Sequence, residues 1–418
     1  MTKNQQIAAT MRETYLRRET QKLKVFELKI NCHHTSKEDF KKLNQWFREA
    51  KWVCNDVIAS EDIFHYEYNA HRVVFNFDKD RSIVERQITL NTAIHQDLVT
   101  RIKQDIINEA KAKERDRKVG RLKFKKEVNC IPIRSKSTKV KSSKRISIPG
   151  FRNLSVYGLE QFIYLPEYEI ANANLVRRAS GFYVLVSVCI PKASLTRKET
   201  GKAVGLDFGI KDNIATSDGL KYSCNKQEDD YLKFLQRKLS KKKKGSKRYY
   251  RCLNQLRKEY EHLKNQRQDE CNKLIHSLTK DYDIIYFQDE NLKGWKSSHM
   301  KGWARIMQSS YMGRVKSKLT VLEKEGRAFK LPKYEATTQL CPKCGALNKH
   351  HLAERTYRCS CGYVEDRDVH AAKNILILGS ERRAECLEQA SVERLTSGLE
   401  AIPKLSQLVE TKTRSLLL

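Results

Sequence analysis

The run Ala203-Val204-Gly205-Leu206-Asp207-Phe208-Gly209-Ile210 decides how the rest of the chain is read. It has the apolar character of a buried strand, yet it holds a carboxylate, Asp207. Burying that charge is costly unless a metal or a partner compensates it. Just downstream, Ile214 to Ser217 and Lys221 to Ser223 flank Asp218-Gly219, a dipeptide suited to a hairpin turn. Two long helices are expected next. The second carries Leu253, Leu256, Tyr260 and Leu263, then Leu274 and Leu278, the apolar seam of a packed helix pair. Ile284 to Phe287 is a short apolar run suited to a strand buried on both faces. A helix from about Trp303 ends near Gly326, a natural C-cap. Arg327 to Leu331 reads as a further strand, and Val369 to Leu378 as a helix with an Ala-rich start.

Two more acidic residues stand at comparable places. Glu290 follows the 284–287 strand at its carboxyl end, in QDENLKGW, where ligand sites of parallel sheets collect. Asp368 lies in EDRDVHAAKNIL (365–376), at or just before a helix N-terminus. Each has an ordinary reading: a DxG turn, a solvated rim Glu, an Asp N-cap. Their order carries more than any one of them. Strand and hairpin, then a buried strand ending in Glu, then an Asp-bearing terminal helix, is the order of an RNase H-like core. Phosphodiester hydrolysis builds negative charge on an attacking water and a leaving oxygen. Two Mg²⁺ ions roughly 4 Å apart stabilise both, and hard cations take carboxylate oxygens.

Between these segments lies CPKCG (341–345), and after it CSCG (359–362). Cys341, Cys344, Cys359 and Cys361 suit one structural Zn²⁺ on four thiolates. The glycine after each pair accepts the positive φ that such a knuckle needs. The second pair is CxC rather than CxxC, so His350 or His351 could replace one sulfur. The other eight of the 12 cysteines are scattered and read as small buried hydrophobes.

The amino-terminal half is read more coarsely. Residues 1–21 are expected to form a frayed or RNA-touching arm, and Lys24 to Cys32 a strand. Ser36 opens a helix with Asp39 three residues on, and its apolar face is Phe40, Leu43, Phe47, Ala50 and Cys54. More helical pattern follows through Ala112. Lys111 to Lys126 holds nine basic residues and two acidic ones, with Phe124 among Arg121, Lys123, Lys125 and Lys126. Cations with an aromatic can neutralise phosphates and stack on a base; the plainer reading is a charged linker. Arg145 to Ile148, Gln161 to Leu165 and Phe182 to Ile190 are β-rich and suggest a small barrel or sandwich. The link 241–248, KKKKGSKR, is too basic for a simple connector, and Lys243, Lys244 and Lys247 are expected to touch phosphate.

Composition supports a polyanion partner. With 82 Lys+Arg against 50 Asp+Glu, the net charge is +32. Residues 381–418 hold six basic and six acidic residues, so the excess lies upstream, and the tail is expected to be partly disordered. Neutralising phosphates releases counterions. A membrane surface is the rival, but no 18-residue apolar run, signal peptide or lipidation motif occurs. No membrane partner and a cytoplasmic, nucleoid-associated location are therefore expected.

In this order, GLDFG (205–209), QDENLKGW (288–295), CPKCG…CSCG (341–362) and DRDVHAAKNIL (366–376) resemble TnpB, the transposon-encoded RNA-guided endonuclease, and the compact type V CRISPR effectors. The resemblance covers nearly all of residues 200–378. It implies a RuvC-like triad of Asp207, Glu290 and Asp368 holding two Mg²⁺. Asp368 is preferred to Asp366 by its place two residues before the family's Asn, which is His370 here. Glu290 is preferred to Asp289 because ENL matches the family's EDL. The fold implied is α/β plus β-barrel. It comprises an arm and first wedge strand (1–35), a helical recognition insertion (36–112) and a β-barrel wedge (113–200). A RuvC-like core (201–335), zinc ribbon (336–364), last helix (365–380) and flexible tail (381–418) follow. The partners implied are a guide RNA, with one protein chain per RNA, and target double-stranded DNA cut beside a short flanking motif. The alternatives are an RNA-guided repressor without cleavage, a CRISPR-recruited effector on the same core, and a zinc-ribbon binder or recombinase with no guide.

Overall fold

The computed structural model describes residues 3–66, 73–77, 82–120, 122–134, 138–165, 167–195, 198–223, 230–297, 304, 307, 309–349, 351 and 354–389. Arg121, His350, Trp303 and the tail beyond 389 lie outside them. The chain divides into two units, Met1–Arg197 and Lys198–Leu418. Among the described residues no helix is long and apolar enough to cross a membrane.

The first unit opens with a helix, α1 (Lys3–Glu19), where the sequence reading expected a frayed arm. Strand β1 (Gln21–Ile30) and helix α2 (Lys37–Ala59) follow. The Ser36 side chain accepts the Asp39 backbone N–H, the expected cap. Leu43, Phe47, Ala50 and Cys54 are buried as expected, joined by Trp46, Val53 and Val57, while Phe40 stays exposed. The expected helical insertion also contains an antiparallel hairpin, β2 (Val73–Phe77) with β3 (Ile83–Gln87), before helix α3 (Thr92–Glu114). Its Phe75, Phe77 and Ile83 are exposed, so no buried stripe marked it.

The remaining strands are β4 (Cys130–Arg134), β5 (Lys139–Ser142), β6 (Arg145–Ile148), β7 (Phe151–Tyr157), β8 (Glu169–Arg178) and β9 (Gly181–Pro191). With β1 they form one antiparallel sheet in the order β4-β8-β9-β1-β7-β6-β5. The expected barrel is not closed: among the described residues β4 and β5 are edges, and no pairing joins them. Strand β1 pairs with β9 from Gln21 to Lys29 but with β7 only at Lys29 and Ile30. Gln161 to Leu165, expected as a strand, lies largely in the short helix α4 (Glu160–Ile163). Phe162 is buried in that turn, against Phe26 and Tyr168 at ring-centroid distances of 5.1 and 5.2 Å, with Leu159 buried beside it. A run of four apolar residues cannot distinguish the two conformations by periodicity.

The second unit is built on five strands: β10 (Ala203–Asp207), β11 (Ile214–Thr216), β12 (Lys221–Tyr222), β13 (Ile284–Gln288) and β14 (Ala328–Leu331). Their order is β12-β11-β10-β13-β14. The β10–β11 and β11–β12 pairs are antiparallel, and β13 runs parallel to both β10 and β14. Gly219 turns the hairpin at φ 86°. Helices α5 (Asp230–Ser240) and α6 (Lys247–Asp281) form the expected pair between β12 and β13. Short α7 (Leu292–Ser297) and then α8 (Met312–Lys324) precede β14, and residues 367–389 form the last helix, α9. That helix runs beyond the expected boundary at 380, into the segment expected as tail.

Strand alternation divides this sheet's faces. Val204, Leu206, Ile285 and Phe287 pack with Leu274 and Leu278 of α6 and Val315 and Leu319 of α8. Ala203, Ile284, Tyr286, Phe329 and Leu331 pack on Ile375 and Leu376 of α9. The sheet thus lies between two helical layers.

Candidate functional site

Asp207 ends β10 on the face that α9 covers, two residues beyond Gly205. There the helix nearly touches the strand: a Cβ on Gly205 would lie 2.0 Å from the Ala372 carbonyl oxygen. Only glycine fits such an approach, and it brings the first turn of α9 to the end of β10. The Asp366 Oδ1 caps that turn, accepting the N–H of Asp368 at 3.1 Å and of Val369 at 3.2 Å. Asp368 thus stands within the turn. On the neighbouring parallel strand, the Asp289 N–H donates to the Leu331 carbonyl at 3.0 Å. Lys316 of α8 clasps the following turn, donating to Asp289 Oδ1 and to the Glu290 carbonyl, both at 2.6 Å.

Electrostatics separates the five acidic groups. Burial pushes the Asp207 carboxyl well above the usual range, and the charges of Asp368 and Glu290 push it further; Arg367 and the Phe208 N–H oppose. Asp207 thus feels the charges of both Glu290 and Asp368. Burial also raises Glu290, against Lys316 and Lys333. Lys316 holds Asp289 below its ordinary value. Burial acts against Asp366, but the Lys221 hydrogen bond, 2.8 Å to Oδ2, keeps it low. Asp289 and Asp366 are thus each paired with a lysine. Asp368 has Arg367 at 3.7 Å. A carboxylate raised by burial and by the charges of two others suits a hard cation, which neutralises it and accepts carboxylate oxygens.

The four cysteines form a second centre. Their sulfurs all lie within 4.8 Å of one another. Cys341 and Cys361 are 3.7 Å apart, and Cys344 and Cys359 3.5 Å. A disulfide needs about 2 Å; tetrahedral thiolates at 2.3 Å from zinc stand about 3.8 Å apart. Each pair sits on a turn ended by glycine at positive φ, Gly345 at 73° and Gly362 at 85°. The Cys341 N–H donates to Ala346 O and the Cys359 N–H to Tyr363 O, both at 2.9 Å. The cluster could hold a metal ion with the narrow CxC spacing intact. His351 is not among its members, and His350 lies outside the described residues. Antiparallel strands β15 (Thr356–Arg358) and β16 (Val364–Asp366) carry the second knuckle directly into α9.

The expected nucleic-acid contacts are surface features. Lys243, Lys244 and Lys247 are exposed at the α5–α6 tip, which Gly245 turns at φ 85°. From Arg237 to Arg251 there are nine basic residues and no acidic one. Lys123 and Phe124 are exposed and Lys125 is half-buried; Asn55 of α2 grips the Lys125 backbone at 2.8 and 3.2 Å. Sequence reasoning missed Lys221, Lys316 and Arg367. Lys316 lies 26 residues from Glu290, and no local pattern marks it.

Two family models match the chain. One, described as a probable transposase, covers residues 185–296, and the other, the Cas12f1-like TNB domain, residues 317–375. The resemblance to TnpB holds. A putative RNA-guided DNA endonuclease of Streptomyces pristinaespiralis is 28% identical over 43% of this chain and 46% of its own length. The putative RNA-guided DNA endonuclease InsQ of Escherichia coli K12 is 26% identical over 42% of this chain and 48% of its own. A putative transposase of Paramecium bursaria Chlorella virus 1 is 36% identical over 20% and 19%. The chain thus spans less than half the length of these relatives. A cryo-EM structure of the Cas12f1–sgRNA–target DNA complex aligns with 85% of this chain and 99% of its own at 16% identity. Its TM-score, 0.26, is too low to carry an argument.

Proposed function

We propose that the chain is an RNA-guided, divalent-metal-dependent DNA endonuclease with a RuvC-like, RNase H-like core. The observation that carries the reading is the placement of Asp207 at the end of β10, with Glu290 just beyond the parallel neighbour β13 and Asp368 in the first turn of the helix that packs on Gly205; burial raises the Asp207 carboxyl, and the charges of the other two raise it further. The strand order β12-β11-β10-β13-β14, antiparallel on one side and parallel on the other, supports it. So do relatives that carry that activity in their names.

In this reading Asp207, Glu290 and Asp368 hold two Mg²⁺ ions. When bound, these supply charge neutralisation for the attacking and departing oxygens of a phosphodiester. The chain's own residues prepare the place. Lys316 fixes the turn that carries Glu290, Asp366 caps the turn that carries Asp368, and Lys221 holds Asp366. One Zn²⁺ on Cys341, Cys344, Cys359 and Cys361 folds the ribbon that would lie against target nucleic acid. Lys243, Lys244 and Lys247 at the hairpin tip, and Arg121, Lys123, Phe124 and Lys125 in the amino-terminal unit, meet phosphates and bases. Base pairing to the guide reads the target, and the amino-terminal unit reads a short flanking motif.

The test is to purify the protein expressed with its native flanking DNA and sequence the RNA that accompanies it. The complex is then assayed for Mg²⁺-dependent cutting of matched DNA. Guide-length RNA with matched cutting supports the proposal; guide-length RNA with binding alone points to a repressor.

A further inference from the structure

A buried polar chain runs from the strand that carries Glu290 to the cysteine knuckle. Gln288, at the end of β13, is 4% exposed. Its Nε2 lies 3.3, 3.1 and 3.0 Å from the carbonyls of Pro332, Lys333 and Glu335, and its Oε1 accepts from Thr337 Oγ1 at 3.1 Å. The Thr337 carbonyl accepts from Asn374 Nδ2 at 2.7 Å, as does the carbonyl of Leu340, next to Cys341, at 2.6 Å. Asn374 Nδ2 also lies 3.2 Å from His370 Nε2, one helical turn back along α9. With two amide hydrogens for three acceptors, Asn374 serves two at a time. The His370 ring lies flat on Tyr357, centroids 3.6 Å apart and planes 15° from parallel. The Tyr357 hydroxyl donates to Gln339 O at 3.1 Å and accepts from Asn348 Nδ2 at 3.2 Å; the same amide nitrogen lies 3.2 Å from Cys359 Sγ.

Thr337, Tyr357, His370 and Asn374 are at most 2% exposed. A hydrogen-bonded network in so dry a place favours one arrangement of the parts it joins, although the Asn374 Oδ1 meets no partner among the described residues. The parts here are the β13 terminus, two residues before Glu290; the first turns of α9, two residues beyond Asp368; and both knuckles. We propose that the cysteine knuckle and the carboxylate cluster are coupled through this chain, with His370 as the positioning residue. Emptying the knuckle, or removing the nitrogen of His370 that meets Asn374, weakens divalent-cation binding at Asp207, Glu290 and Asp368. The inference rests on the reading of those carboxylates as a metal site.

The experiment titrates Mn²⁺ into the purified protein and reads free Mn²⁺ by electron paramagnetic resonance. The samples are zinc-loaded protein, protein stripped by chelator and desalted, and stripped protein reloaded with zinc. His370→Phe keeps a ring on Tyr357 but cannot accept from Asn374; His370→Asn can accept. Asp207→Asn reports whether the bound Mn²⁺ occupies the carboxylate site. Outer partners of metal ligands are typically worth 10–100-fold in affinity. The expected result is an approximately tenfold rise in Kd on stripping, reversed by zinc. His370→Phe gives a similar rise that zinc does not reverse, and His370→Asn recovers much of it. If stripping and His370→Phe leave Kd unchanged while Asp207→Asn abolishes binding, the coupling is wrong and the carboxylate reading stands. If Asp207→Asn binds as well as the wild type, the carboxylate reading fails and takes this proposal with it.

Discussion

Replacing Gly205 by alanine should damage the site without touching any of its ligands. The new methyl carbon would stand 2.0 Å from the Ala372 carbonyl oxygen and 2.8 Å from the Leu376 nitrogen, both backbone atoms of α9. Cβ contacts essentially never fall below 3.0 Å, so the helix must withdraw by about 1 Å. Overpacking of this kind costs about 1–3 kcal/mol. For a unit of this size that lowers Tm by roughly 2–12 °C. The larger effect is geometric, because α9 carries Asp368 away from Asp207. A misplacement of about 1 Å can cost on the order of 100-fold in rate. The assays are Mg²⁺-dependent cleavage by the RNA complex, scanning calorimetry, and zinc content to show that the knuckle survives. Cleavage within twofold of wild type at an unchanged Tm would refute the close approach of helix and strand, and with it the account of how Asp207 meets Asp368.

Further outcomes follow from the same geometry. A carboxyl raised on folding stabilises the fold below its unfolded value, about 3.9, and that contribution is lost as pH rises through the folded value. Asp207, raised first by burial and then by Asp368 and Glu290, therefore destabilises metal-free protein at neutral pH. Asp207→Asn should raise the metal-free Tm at pH 7 while removing the gain that Mg²⁺ gives the wild type; a lower Tm would contradict this. Reversing Lys243, Lys244 and Lys247 to Glu should weaken nucleic-acid affinity and shallow its salt dependence by about one unit of slope per lost phosphate contact. An unchanged slope would make the tip a solvated connector. Elemental analysis should find one zinc per chain, reduced by Cys341→Ser and by Cys359→Ser alike; retention in both would show that the four sulfurs do not share one ion.

The sequence was most legible where burial and chemistry conflict. Asp207 does end an apolar strand, Glu290 does follow another, and the four cysteines do come together, as their sequence context led one to expect; their roles belong to the proposal. The segments of β10 to β14 were read as strands from the same stretches, but their order in the sheet was not. Lys316, Lys221 and the Gln288–Thr337–Asn374 chain were not legible, since their partners lie 26 to 145 residues away and exist only once the sheet has formed. In the amino-terminal unit the signal was weaker. The β2–β3 hairpin exposes Phe75 and Phe77, α4 is only one turn long, and among the described residues the sheet's edges do not pair. Strand pairing of that kind is decided by long-range register rather than local pattern.

The measurement that bears most directly on the central claim compares wild type with Asp207→Ala, each purified with the RNA it binds, on matched double-stranded DNA with Mg²⁺. The account predicts that both carry the same guide-length RNA and bind the DNA, and that only the wild type cuts it. Cutting by Asp207→Ala at the wild-type rate would contradict it.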